Sequence, residues 1–235
     1  MKRLVFVGFG CNNRCLVCAQ GDLRSTATEP NVGPRGLAQI ETGDIAAIVG
    51  GEPTIANDLP DWIRALDACG AARVLLQTNG RRLSYAAYAR ALAACSKRLA
   101  LDVSLLGSNA AMHDYHTRAP GSFVETARGI RHARAAGIPV AMTTVVTRSN
   151  YRHLTEIVAL AAALGVDAIR FADLVPLGTA ESLLPSLAPT QELVAPHLAR
   201  AGVLARTRRL RVADEHALQD DDRFAGLGVT ADPHR

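Results

Sequence analysis

A chain of 235 residues with 49% hydrophobic content can form one large α/β domain or two small ones, and it is apolar enough to close a real core. Its 26 Lys and Arg against 22 Asp and Glu leave a net charge of +4, too mild to name nucleic acid as a partner without a clustered patch. No segment approaches the roughly 20 apolar residues of a membrane-spanning helix, and five cysteines, an odd number, do not make a disulfide framework, so a reducing cytoplasm fits best.

Lys2-Arg3 ahead of Leu4-Val5-Phe6-Val7 looks briefly like a secretory signal, but the run stops at Asn12-Asn13-Arg14 without a small-residue cleavage site. Leu4–Gly8 instead reads as a first strand. The segment Ala19–Gly43, rich in Gly, Pro, Thr and charge, predicts a mobile flap over the site, with a short helix near Gly36–Glu41. Short apolar runs then alternate with amphipathic ones. Strands are predicted at Ile45–Val49, Val74–Gln77, Leu99–Ser104, Val140–Val146 and Ala168–Phe171, and helices at Leu59–Ala68, Tyr85–Cys95, Ser122–Ala136, Tyr151–Leu164 and Thr190–Ala201.

Continuous apolar strands separated by helices mean parallel strands buried on both faces. Six β/α units are fewer than the eight that close a barrel, so the pattern predicts an α/β fold, a laterally open partial (β/α)6 TIM-like barrel. Residues 1–201 would form the core domain and 202–235 a short C-terminal extension, partly strand, with a weakly ordered tail from Asp214 onward.

Parallel architectures gather functional groups in the loops after the strands. Cys11, Cys15 and Cys18, Gly50-Gly51-Glu52-Pro53, Thr78-Asn79-Gly80, Ser104 and Thr144 all fall at such ends and would face one mouth. Thiolates at that cysteine spacing can converge on an iron–sulfur cluster, and three of them leave one iron of a four-iron cube without a protein ligand. The same three could belong to structural zinc, which prefers paired C-x2-C knuckles. Cys15 and Cys18 make one such pair, but Cys69 and Cys95 sit singly in Ala-rich helical patterns and read as small core residues. His113 and His116 beside Asp114 read as the polar surface of a loop. Arg200, Arg206, Arg208, Arg209 and Arg211 read as a solvated face, the sharper alternative being a docking patch for an acidic electron donor. Base-stacking aromatics are missing there, which argues against single-stranded nucleic acid.

The cysteine spacing after the first strand, joined to Gly-Gly-Glu-Pro after the second, resembles the radical S-adenosylmethionine (radical SAM) superfamily. Gln77-Thr78-Asn79-Gly80, Ser104-Leu105-Leu106-Gly107, His113-Asp114 with Arg118 and Gly121-Ser122-Phe123, Thr143 to Thr147 with Asn150, and Arg170-Phe171 leading to Pro176-Leu177-Gly178 extend the match to its peptide- and cofactor-modifying branch. The resemblance implies an enzyme in which Cys11, Cys15 and Cys18 hold a 4Fe-4S cluster. The open iron would take S-adenosyl-L-methionine, whose reductive cleavage gives a 5′-deoxyadenosyl radical that removes hydrogen from substrate.

Carried over by position, Gly50, Gly51, Glu52 and Pro53 would line the methionine end of the cofactor, the Glu52 carboxylate accepting from its amino group. Ser104 and Arg118 would meet its carboxylate and ribose. Thr78, Asn79, Thr144 and Asn150 would be ribose or loop contacts, and Phe171 would cover the adenine. The implied partners are a flavodoxin or ferredoxin-type electron donor and a substrate peptide or small metabolite. Leu106 departs from the family's acidic residue after Ser-Leu, and Val17 from the aromatic before the third cysteine, which alters cofactor packing there. No cysteine-rich stretch follows the sixth unit, so auxiliary clusters are not expected.

Overall fold

A computed structural model describes residues 1–21, 37 and 39–213. The predicted flap, with its short helix, and the acidic tail lie largely or wholly outside these residues. Seven parallel strands form one sheet in sequential order: β1 (Lys2–Phe6), β2 (Ile45–Val49), β3 (Arg73–Thr78), β4 (Leu99–Ser104), β5 (Val140–Val145), β6 (Ala168–Ala172) and β7 (Arg211–Ala213). Helices α1 (Leu59–Ala68), α2 (Ala86–Ala93), α3 (Ala110–Thr117), α4 (Ser122–Ala135), α5 (Leu154–Leu164), α6 (Thr179–Leu187) and α7 (Gln191–Thr207) connect them. Because β1 and β7 do not pair, the sheet is an open partial barrel.

Every strand sends alternate residues to opposite faces. One set, including Val5, Ile48, Val74, Leu76, Leu101, Val103, Met142 and Ile169, packs against the helices. The other, Ala47, Val49, Leu75, Ala100, Ala141 and Ala168 with Leu4 and Phe6, forms a separate apolar plug inside the curve of the sheet. Burial of one such Leu or Ile contributes about 1.5–3 kcal/mol, so strand-period patterning drives the fold. Above the plug the inner face turns polar, with Gln77, Asp102, Ser104, Thr143 and Arg170.

The structure differs from the sequence reading, or completes it, in four places. A seventh strand, β7, joins the six expected units by pairing with β6, Arg170 standing beside Ala213, inside the extension read as partly strand; three residues led by an arginine make no apolar run that would place it. Helix α3 was expected as polar loop surface, yet its inward side is His113, His116 and Thr117. Helix α6 carries Pro185 and follows Gly178, both of which read as breakers. Helix α7 also continues past Ala201 to Thr207.

Candidate active site

The cysteine loop has little regular structure of its own, and its backbone is fixed from four directions. Arg14 N and Leu16 N donate to the Thr117 and His116 carbonyls at 2.9 and 2.8 Å, so the loop satisfies acceptors that the C-terminal turn of α3 leaves unpaired. Leu16 is buried beneath it. On the other side, Thr179 N at the start of α6 donates to the Cys18 carbonyl at 3.0 Å. Between Cys11 and Cys15, Arg81 Nη1 donates to Asn12 O at 2.6 Å and to Asn13 Oδ1 at 2.8 Å, while its Nε donates to Glu125 Oε2 at 2.6 Å.

The fourth direction is the Gly-Gly-Glu turn. Gly50 and Gly51 have φ of 100° and 52°, values that glycine adopts without strain. A Cβ on Gly50 would lie 2.5 Å from the Gly8 carbonyl oxygen, and one on Gly51 2.1 Å from that of Gly10. These glycines therefore let the turn lie against the backbone that leads into Cys11. Glu52 N donates to Gly10 O at 2.7 Å, and Gln20 Oε1 accepts from Gly51 N at 2.7 Å.

Glu52 itself is 2% exposed. Its Oε1 accepts from Thr54 N at 3.1 Å, from the Thr54 hydroxyl and from Thr78 Oγ1 at 2.5 Å; its Oε2 accepts from Asn79 N at 2.6 Å. Burial raises its pKa, against the pull of these donors. The carboxylate thus joins the loops after β2 and β3, with Pro53 opening the short 3-10 turn that brings Thr54 back to it. Asn79 extends the chain of bonds, its Nδ2 donating to Asn12 Oδ1 at 2.7 Å.

The remaining predicted residues separate into two groups. Ser104 is exposed on the inner face at the end of β4. Arg118, exposed and left-handed at φ 50°, ends α3 and shares a cleft of about 340 Å³ with Arg14, Gly21, Thr179, Ser182 and Leu183. In contrast, Thr144 is buried and its hydroxyl donates to Leu105 O at 2.6 Å, while Phe171 packs against the helix-side core. Asn150 is likewise buried, accepting from Thr147 N and donating to the Leu106 and Val145 carbonyls. Strand alternation turns Thr144 and Phe171 away from the inner face that Ser104 occupies.

His113 and His116 are not loop surface: they are 1% and 0% exposed. Nδ1 of His113 accepts from Leu106 N at 3.0 Å, and burial pushes its pKa down to about 4. His116 Nδ1 donates to Met112 O at 2.7 Å, leaving Nε2 to meet Thr147 and Ser149 at 2.8 Å. Burial lowers its pKa too. Asp114 accepts from Gly121 N, Ser122 Oγ and Phe123 N at 2.7–2.8 Å and so caps the N-terminus of α4. The His-Asp and Gly-Ser-Phe matches are therefore one structural joint. Sequence reasoning missed Arg81, Asn12, Asn13 and Gln20; of these only Arg81, directly after a strand-end Asn-Gly, carried a positional signal.

No cysteine among the described residues is in a disulfide, and Cys11, Cys15 and Cys18 are each partly buried. Among those residues no group of three or more His, Cys, Asp or Glu is gathered where one metal ion could sit. Three thiols on one loop are a donor set that an iron–sulfur cluster can use, each thiolate reaching a different iron. Cys95 is buried, its Sγ donating to Ala91 O at 3.2 Å, and Cys69 packs at the core edge, both as small core residues. The arginines at 200, 206, 208 and 209 are exposed, and Arg211 is half-buried on β7.

The family model of the radical SAM superfamily matches residues 5–161. The chain belongs to that superfamily, whose members use a 4Fe-4S cluster and S-adenosylmethionine. It is 33% identical over 175 residues to an AdoMet-dependent heme synthase of Methanosarcina barkeri, covering 72% of this chain and 49% of the relative. It is 31% identical over 196 residues to the mycofactocin maturase MftC of Mycolicibacterium smegmatis, covering 78% and 47%. The structure of Streptococcus suis SuiB bound to precursor peptide SuiA shares its fold, with a TM-score of 0.68, 15% identity, and 93% and 50% coverage. The chain thus spans about half the length of the relatives it matches.

Proposed function

We propose that this chain is the catalytic core of a radical SAM enzyme in which Cys11, Cys15 and Cys18 hold the cluster. When bound, cluster and cofactor supply a 5′-deoxyadenosyl radical that takes a hydrogen atom from substrate. The observation that carries this reading is the fixing of the cysteine loop by Arg81, Asn79 and the Gly50-Gly51-Glu52 turn. Such fixing keeps three thiolates in one arrangement before any ligand arrives, which is preorganisation of the kind a reacting site needs.

Ser104, exposed on the inner face, would offer its hydroxyl to the cofactor. Arg118, with Arg14 in the adjoining cleft, would meet its carboxylate. Glu52 acts mainly through the loops it joins: Oε1 already has three donors, so only Oε2 has a lone pair left for the cofactor's amino group. Gly50, Gly51 and Pro53 shape that turn. Thr78 and Asn79 tie it to β3, while Thr144 and Phe171 hold strand ends in place. The apolar plug below excludes water from the floor of the mouth.

The substrate would be a peptide or a small metabolite, and the names of the maturase and the heme synthase support one of each. A flavodoxin or ferredoxin-type donor in a reducing cytoplasm would supply the electron. Among the described residues no helix is long and apolar enough to cross a membrane. Anaerobic reconstitution should give about four irons per chain and, with dithionite, 5′-deoxyadenosine from S-adenosylmethionine. Full product formation by a triple Cys→Ala variant at 11, 15 and 18, or none from the reconstituted protein, refutes the reading.

A further inference from the structure

Arg82 and Tyr88 meet on a single atom, the carbonyl oxygen of Thr54, two residues beyond the buried carboxylate of Glu52. Arg82 Nη1 donates to that oxygen at 2.9 Å and the Tyr88 hydroxyl at 3.0 Å. The guanidinium carbon lies 4.8 Å from the centre of the Tyr88 ring, a cation–π contact that holds the two donors as a unit. Neither comes from the loop that carries Glu52: Arg82 opens the 3-10 turn Arg82–Ser84 after β3, and Tyr88 lies on α2.

Thr54 is fully buried and bonded on two sides. Its N–H and hydroxyl both donate to Glu52 Oε1, while its carbonyl accepts from the clamp. The bonds that close its own turn run from Ile55 N to Glu52 O at 3.2 Å and from Ala56 N to Pro53 O at 3.0 Å. They leave the Thr54 carbonyl out, and a three-residue 3-10 turn has little rigidity of its own. Two outside donors fill that carbonyl's lone pairs. Burial pushes the Tyr88 phenol up to about 12, so it remains a donor at neutral pH. Adjacent arginines thus serve different loops, Arg81 the cysteine loop and Arg82 the Glu52 turn.

We propose that Arg82 and Tyr88 are positioning residues: by fixing Thr54 they keep Glu52 Oε1 occupied and hold Oε2, which has capacity to spare, for the amino group of S-adenosylmethionine. The proposal rests on the reading of Glu52 as a contact for that group.

The test uses the full chain in two states. Without cluster, amide hydrogen exchange is followed at Thr54 and Asn79, the two backbone N–H groups that donate to Glu52. After reconstitution, iron is assayed and S-adenosylmethionine binding is measured by calorimetry without reductant. Tyr88→Phe keeps the ring that packs at the core edge and removes only the hydroxyl. It should speed exchange at both amides, leave iron content unchanged and weaken cofactor binding about threefold to tenfold, the effect of one hydrogen bond. Arg82→Met should weaken binding at least as much, and Arg82→Lys, which restores a donor, should recover part of it. Asn79 is coupled to the Tyr88 hydroxyl through the Glu52 carboxylate, so a role confined to Thr54 would not move its exchange. Wild-type cofactor affinity in both Tyr88→Phe and Arg82→Met overturns the proposal, as does Asn79 exchange indifferent to Tyr88, or weakened binding that merely follows lost iron. A wild-type protein that holds its cluster yet binds no S-adenosylmethionine defeats the functional reading, and Asn79 exchange that still answers to Tyr88 then leaves the clamp on Glu52 standing.

Discussion

Arg81 Nη1 donates at 2.6 Å to the carbonyl of Asn12, inside the loop between Cys11 and Cys15. With the Asn79–Asn12 bond, this ties the end of β3 to the cysteine loop, and Glu125 holds the arginine from behind. Arg81→Met keeps the length and removes the donors. It should cost the apoprotein roughly 1–3 kcal/mol through the acceptors left unpaired and lower iron retention after desalting. Chemical denaturation and iron assay check both, and wild-type values in each would remove Arg81 from the loop's support.

Glu52→Gln distinguishes a joint between loops from a simple ligand contact. The amide presents N–H groups where the carboxylate accepts only, so at least one of Thr54, Thr78 and Asn79 loses its acceptor. The expected loss is roughly 1–3 kcal/mol in protein without cofactor, read from the urea midpoint. An unchanged midpoint combined with weakened cofactor binding would return Glu52 to a purely ligand-contacting role.

Gly51→Ala tests the close approach of the two loops. Its Cβ would fall 2.1 Å from the Gly10 carbonyl oxygen at a positive φ, and the backbone conformation alone costs about 1–2 kcal/mol. The variant should lose stability by more than that and bind cluster poorly. Reconstitution to wild-type iron content would contradict the packing described.

Acid sensitivity should trace to α3. His113 has its pKa pushed by burial from the ordinary 6.5 down to about 4, so the folded chain refuses a proton that the unfolded chain accepts. Stability from this group is complete above about pH 6.5, falls as pH drops and is exhausted near pH 4, a span of roughly 3 kcal/mol. His116, also lowered, acts in the same direction. The urea midpoint of His113→Gln should vary less over that range than wild type; identical pH profiles would count against it.

The strands were legible because β2 to β6 are short, nearly continuous apolar runs, and the site loops because the cysteines, Gly-Gly-Glu-Pro and Thr-Asn-Gly each follow one. What periodicity cannot give is the direction of a side chain at a strand's end. Thr144 and Ser104 look equivalent in the sequence, yet one donates into the backbone of the neighbouring loop and the other faces the mouth. Arg81 was hidden by the general abundance of arginine, and His113 by its polarity. A histidine with one nitrogen satisfied by a backbone N–H can line a helix's buried side, and nothing in the residue type announces it.

The bond from Thr179 N to the Cys18 carbonyl has a consequence for the order of assembly. The cysteine loop opens the chain, but one of its fixing contacts comes from α6, beyond the sixth strand. During synthesis the thiolates emerge before α6 and reach their final arrangement only when that helix has docked. On the proposed function, cluster insertion would wait for α6, and a chain ending before that helix would present the same three cysteines without this anchor.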